Sequence, residues 1–321
     1  MLIAPLAALA NPAHADAPGQ HPNCGPATGL LTQENLPEGT DVVECRAVGR
    51  LFSHGKLTGQ VPAAGETLTM EALYPSGAVA YEIAVTPEGE VSYNDLDAAI
   101  ALEDVAVSSP SACSDGAYED RDEEQAGTYK WHLGDGTRPA GLTTAQTESV
   151  LKQAVGWIET SYNNCGYTDQ VSADASYQGI STLESDMTTS GGATTCGDGS
   201  TDGRDGESVV DFGNLDDHGD PPLAKECTWS IPAPFADNNI IESDIRFDTT
   251  DHVFFSTLPT TCSGKYDLRG VAVHEFGHSF GMGHVSESAH GNLTMSTDLD
   301  PCDVSQRTLG KGDVLSLRNT Y

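Results

Sequence analysis

The stretch that decides the reading is His274-Glu-Phe-Gly-His278-Ser-Phe-Gly281-Met-Gly-His284. On a helix, residues i and i+4 share a face, so His274 and His278 can aim ring nitrogens at one ion. Glu275 is turned about 100° from His274. Its carboxylate then lies beside that ion rather than on it, where a general base is needed. Gly281 lets the helix stop, because glycine takes the left-handed conformation at little cost. The reversed chain can return His284 as a third ligand. Three nitrogen ligands suit a tetrahedral zinc whose fourth position is open to water, as in catalytic rather than structural sites. A helical histidine pair alone is often only a solvated face; five fixed positions together are far more specific.

His-Glu-x-x-His-x-x-Gly-x-x-His is the metzincin signature, and the chain resembles that family. The resemblance implies a methionine turn beneath the metal, and Met295 in Asn292-Leu-Thr-Met-Ser296 stands at a suitable distance. A lone methionine is usually core filler; its position makes Met295 more than that. Further stretches are similar to bacterial relatives of the matrixins: Val209-Val-Asp-Phe-Gly213, Ile241-Glu-Ser-Asp-Ile-Arg-Phe247, and the closing Arg307-Thr-Leu-Gly-Lys-Gly-Asp-Val-Leu-Ser-Leu317. The resemblance spans residues 128–321 and does not reach the first hundred-odd. It implies an α+β catalytic domain with a twisted mixed sheet, a backing helix, an active-site helix and a C-terminal helix. It also implies zinc on His274, His278 and His284, with Glu275 as base. There are departures. Val285 follows the third histidine, where several branches carry a branch-specific residue, so the subfamily stays open. Thr297, not tyrosine, lies two past Met295, which leaves oxyanion stabilisation mainly to zinc. His218-Gly-Asp220 is only a fragment of the matrixin structural-zinc pattern.

The length of 321 residues suggests two domains. Fifteen Lys and Arg against 48 Asp and Glu give a net charge of −33. That argues against nucleic acid and anionic membrane as partners, since both require cationic side chains. Residues 2–10 are apolar and Ala13-His14-Ala15 has the small-x-small pattern of a cleavage point, so residues 1–15 read as an export signal lacking its basic start. No other apolar run reaches membrane-spanning length. Eight cysteines, none in a Cys-x-x-Cys pair, fit an oxidising compartment and disulfides. Three precede the expected domain boundary and five follow it. If all pair, at least one bridge crosses that boundary. Cys262 and Cys302 flank the active helix and the methionine turn, and are expected to pair. Pro22-Asn-Cys24-Gly-Pro26 bears a faint likeness to a thiol switch, but a structural disulfide is the better reading.

Residues 16–118 read as a small antiparallel β domain. Leu68, Met70, Ala72 and Tyr74 alternate with polar residues, except that Leu73 breaks the pattern; Val79, Tyr81, Ile83 and Val85 alternate cleanly. An earlier strand is expected over 42–52. Nothing in this domain carries evident chemistry, and both a removable propeptide and a permanent module remain open for it. Residues 119–127, a charge run without apolar period, read as an exposed linker, with a maturation cut expected between Glu119 and Tyr129.

In the catalytic domain, residues 129–133 read as a strand. Thr143 with Gln146 forms a capping box for a helix carrying Leu151, Ala154, Val155, Ile158 and Tyr162 on one stripe. A second strand is expected over 171–177. Asp198, Asp202, Asp205 and Glu207 lie on a glycine-rich loop that suits either calcium or plain solvation. By the resemblance, residues 223–231 form the sheet edge over the cleft, where an extended substrate could add as another strand. Residues 240–247 should be its neighbour. Asp267 can cap the active helix and Asp313 the last one.

These observations imply a secreted, monomeric zinc endopeptidase acting on protein or peptide. The alternative from another class is a catalytically inert secreted binding protein or toxin with a protease-like fold. A zinc hydrolase of non-peptide amides is a narrower rival, disfavoured by the edge strand.

Overall fold

The computed structural model of the chain describes residues 24–98, 100, 109–217, 219–233 and 236–321. The export signal expected at 1–15, and His218 of the structural-zinc fragment, fall outside the described residues. The N-terminal region carries β1 (Leu51–His54), β2 (Leu57–Gln60), β3 (Thr67–Tyr74), β4 (Gly77–Val85) and β5 (Val91–Asp95). There follow β6 (Glu123–Glu124), β7 (Thr128–Gly134), helix α1 (Thr144–Glu159), β8 (Asp174–Ser181), β9 (Met187–Ser190), β10 (Ala193–Cys196) and β11 (Ser208–Gly213). The chain closes with β12 (Ala224–Ile231), β13 (Asn238–Asp248), β14 (Phe254–Phe255), β15 (Tyr266–Asp267) and helices α2 (Leu268–Ser279), α3 (Glu287–His290) and α4 (Lys311–Thr320).

The principal sheet is mixed, with strand order β5-β4-β3-β12-β13-β11-β7-β8, and β6 added on β13. Strands β13, β11, β7 and β8 run parallel, while β12 is antiparallel to β13. On one face lie α1 and α2 over a core of Trp131, Leu133, Leu151, Phe247, Val271, Phe276 and their neighbours. The capping box of Thr143 and Gln146 forms as expected, and Leu151, Ala154, Val155 and Ile158 of α1 are buried. Tyr162 lies past the end of α1 and is exposed. The second strand occupies 174–181 rather than 171–177.

The separate N-terminal β domain needs correction. Strands β3, β4 and β5 do not form a sheet of their own; they extend the principal sheet, because β3 pairs antiparallel with β12 along its length, from Thr67 opposite Ser230 to Leu73 opposite Ala224. Likewise β2 pairs with β10 in a second sheet, β1-β2-β10-β9. This explains the broken alternation at Leu73. Leu68, Met70, Ala72 and Tyr74 face a core built with the N-terminal loops, whereas Leu73 faces the core beneath the catalytic helices. A strand covered on both faces has no polar side. The strand expected over 42–52 shrinks to β1, because residues 41–47 turn upon themselves: Cys45 N donates to Asp41 O and Ala47 N to Val42 O.

The charge run 119–127 is also not an exposed linker. Arg121 and Glu123 are buried, β6 pairs with β13, and Gly283 N donates to Glu119 O. Gly281 has φ +80°, and a Cβ there would stand 1.9 Å from Glu123 O, so only glycine lets this segment pass. Four disulfides form: Cys24–Cys45, Cys113–Cys165, Cys196–Cys227 and Cys262–Cys302. Cys262–Cys302 is the expected clamp, and Cys113–Cys165 is the bridge across the boundary that parity required. Cys24 lies in a structural disulfide.

Candidate metal centre and cleft

Helix α2 begins at Asp267, whose carboxylate accepts from Gly270 N at 3.0 Å and is itself gripped by Arg307. Every residue from Val271 to Ser279 is buried, so the histidines stand in a dry interior. The turn at Gly281 reverses the chain and brings His284 to His274 and His278. The three Nε2 atoms lie 3.2, 3.2 and 3.0 Å apart. Ligands of a tetrahedral zinc at 2.0–2.1 Å stand about 3.3 Å from one another, so the triad has the span the ion requires.

The outer nitrogens decide which ring atoms are bare. His274 Nδ1 meets Thr294 O at 2.9 Å, and His278 Nδ1 meets Met282 O at 2.8 Å. A carbonyl oxygen only accepts, so both Nδ1 atoms carry protons and both Nε2 atoms present lone pairs. His284 Nδ1 is held by Asp97 Oδ1 at 3.0 Å. Outer partners of this kind orient metal-binding histidines. Burial, joined by the positive charge of neighbouring groups, lowers His274 to about 3 and His278 well below its usual range, so both are neutral. At His284 burial also works downward, but Asp97 and Glu71 outweigh it and hold the ring at about 9. Converging lone pairs flanked by carboxylates want a cation, and these residues fit zinc.

Glu275, next to His274 on α2, is fully buried, and neither carboxylate oxygen has a hydrogen-bond donor. Burial, then the facing carboxylate of Glu71, pushes it well above the usual range. Glu71 comes from β3 and was not among the residues read from sequence. Together with His274, His278 and His284 it forms a cluster able to hold one metal ion. Its closest approach is 3.6 Å, from Oε1 to His284 Nε2.

Behind the cleft lies a buried polar network. Arg121 Nη1 donates to Glu226 Oε2 at 2.7 Å, while Thr228 and Ser243 hydroxyls donate to Glu226 Oε1. Burial pushes Glu226 upward and Arg121 pulls it back; with three donors upon it, the carboxylate form is the favoured one. Beneath α2, Met295 is buried with its sulfur close under Gly277, where an added Cβ would come within 2.5 Å of it. Asp313 sits at the third position of α4, where its carboxylate accepts from Gly310 N at 2.7 Å. It also takes Thr294 N at 3.0 Å and Met295 N at 3.3 Å, so it fixes the methionine turn as well as the helix start.

The structure thus brings together His274, His278 and His284, with Glu275 facing Glu71 of the same cluster and Met295 under the same helix. It does not bring together Asp198, Asp202, Asp205 and Glu207. Of these four, only Asp205 joins a carboxylate cluster among the described residues, with Asp186 and Glu242. The glycine-rich loop instead satisfies itself locally: Asp198 accepts from Ser200 N and Asp205 from Glu207 N. Sequence reading missed Glu71, Asp97, Arg121 and the second role of Asp313. Only Glu71 had a signal, a charge two residues before the break at Leu73.

Among the described residues no helix is long and apolar enough to cross a membrane. No curated protein matches the chain. Residues 203–321, which hold β11 to β15, the histidine triad, Glu275 and Met295, match the matrixin family of peptidases, so this part of the chain is similar to a matrixin metalloprotease domain.

Proposed function

We propose that the protein is a secreted zinc endopeptidase, with residues 128–321 as its catalytic part. The observation that carries this is the set of three inward Nε2 atoms, two of them bare by their outer hydrogen bonds, with Glu71 in the same cluster and the Glu275 carboxylate facing Glu71. Zinc, when bound, supplies Lewis acidity that polarises a peptide carbonyl and brings the pKa of a water to about 7. The chain's own residues do the rest. Thr294 O, Met282 O and Asp97 lock the three rings in the tautomer and orientation that bind. Met295 forms the floor without binding. Glu275 takes the proton of the attacking water and delivers it to the leaving amine nitrogen. Residues 223–231 are not the free sheet edge expected from the sequence, because β3 pairs with β12 on that side; the backbone of β12 would offer the N–H and C=O groups that an extended peptide needs once β3 is displaced. Four disulfides support an extracellular setting. An inert binding protein of the same fold has no need of a buried, donor-free carboxylate next to the triad.

The test separates base from ligand. Glu275→Ala should keep about one zinc per chain and lose peptide hydrolysis by roughly 10²–10⁴-fold or more. His278→Ala should lose zinc and activity together, because two ligands hold the ion poorly. The measurement is metal content beside turnover of casein. Activity surviving in Glu275→Ala, or zinc lost from it as completely as from His278→Ala, refutes the assignment.

A further inference from the structure

The buried carboxylate of Glu71 has no role in the peptidase reading above, yet it occupies the reacting space. It is wholly buried, and neither oxygen receives a hydrogen bond. Its ion-pair contact is His284 Nε2, 3.6 Å from Oε1, and a buried carboxylate without a hydrogen-bond donor still costs several kcal/mol. Nothing in the strand explains that cost. The neighbours on the same face of β3 are well accommodated: the Thr69 hydroxyl donates to Glu123 Oε1 at 3.2 Å, and Leu73 packs in the catalytic core. A threonine or leucine at position 71 would extend that pattern without penalty. Glu71 instead points at the three imidazole nitrogens, with one carboxylate oxygen within 4.8 Å of each.

The backbone of the same strand lies on the peptide-binding rail. Glu71 stands directly opposite Glu226, and β3 pairs with β12 over its whole length. The groups that would pair with an extended substrate are therefore already paired. From the same N-terminal region Asp97 reaches His284 Nδ1. One segment of the chain thus covers the rail, faces the general base and touches a metal ligand from behind.

We propose that Glu71 is the fourth ligand of the bound zinc in the intact chain, and that β3 lies in the cleft where a substrate strand would lie. The intact chain is then a closed form of the peptidase, and access to the metal requires β3 to leave. This rests on the zinc-peptidase reading. It adds that the N-terminal region works as an internal blocking strand whose key contact is a carboxylate rather than a thiol. Cys24 is committed to Cys45, which leaves no thiol in that region for the purpose among the described residues.

The test uses the full chain loaded with Co²⁺ in place of zinc, followed by its visible spectrum during titration with acetohydroxamate, a small chelator of open metal sites. Wild type, Glu71→Gln, Glu71→Ala and His278→Ala are compared. Glu71→Gln preserves the volume and packing of β3. Both Glu71 variants should keep the cobalt on the three histidines and bind acetohydroxamate at least about tenfold more tightly than wild type. Wild type binding the probe as tightly as the variants would overturn the proposal while leaving the metal site intact. Cobalt lost from Glu71→Gln as completely as from His278→Ala would also overturn it, because Glu71 would then be a permanent structural ligand. No cobalt on wild type would remove the zinc reading itself, and the proposal with it.

Discussion

Replacing Arg121 by Met tests the claim that residues 119–127 belong to the folded body rather than to an exposed linker. The Arg121 side chain is 2% exposed and that of its partner Glu226 0%, with Nη1 and Oε2 2.7 Å apart. Such a pair gains little over a well-packed apolar pair, because desolvating both ions offsets most of their attraction. Removing one member is different: Glu226 would be left buried without its cation beside Glu71 and Glu275, with only the Thr228 and Ser243 hydroxyls upon it. Breaking a buried pair in this way costs about 3–5 kcal/mol, a large part of a typical stability of about 5–15 kcal/mol. At about 2–4 °C per kcal/mol for a domain of this class, the melting temperature should fall by roughly 10 °C. The double variant Arg121→Met/Glu226→Gln removes both charges, so its loss should be smaller than that of the single variant by about 2 kcal/mol or more. The assay is urea unfolding at pH 7 followed by near-ultraviolet circular dichroism, with the two single variants and the double variant closing a cycle. A single variant within 1 kcal/mol of wild type, or a double variant equal to the sum of the singles, refutes the reasoning. The same result bears on maturation: a cut after Arg121 would remove this partner, so the expectation of a new N-terminus between Glu119 and Tyr129 should fail where it falls beyond Arg121.

Three further outcomes are expected. Burial, then the facing Asp186, raises Glu242 to about 9. The unfolded chain therefore ionises at this position from its ordinary value of 4.5 upward while the folded chain holds its proton, and stability falls across that window as pH rises. In calcium-free buffer Glu242→Gln should raise the melting temperature at pH 8 and not at pH 4, and no rise at pH 8 would remove the argument. If calcium is held by Asp186, Asp205 and Glu242, millimolar calcium should stabilise wild type and not Glu242→Gln; equal gains in both rule the cluster out. Replacing Cys262 and Cys302 together by Ser opens a loop of 40 residues, which should cost about 4 kcal/mol by the chain-entropy relation. A loss under 1 kcal/mol in urea unfolding would show that the clamp does not hold the site.

The active helix was legible in the sequence because its geometry is local. His274, His278 and Glu275 lie within two turns of one helix, Gly281 ends it, and His284 follows at once, so spacing alone carries the arrangement. Met295 and Cys302 come soon after, and their positions sufficed. The other half of the cleft was not legible, because it is made at long range. Arg121 meets Glu226 across 105 positions of sequence, and a charge run gives no sign that one of its members will be buried against a distant carboxylate. Hydropathy marks Arg121 and Glu123 as solvent-facing; only pairing in space allows their burial.

Glu71 is the instructive case. Alternation in β3 assigned it to a polar face, and a polar face implied water. Leu73, two residues on along the same face, is apolar and fully buried, so that face cannot be open to solvent. Once both faces are known to be covered, a carboxylate on either one needs a cation or a cluster of donors, because the interior does not tolerate it alone. Arg121 already serves Glu226, and Lys225 serves Asp217 from the opposite face. With those cations engaged elsewhere, the histidine triad is what Glu71 faces, and a divalent ion held there answers both the bare imidazole nitrogens and the orphaned carboxylate with one charge.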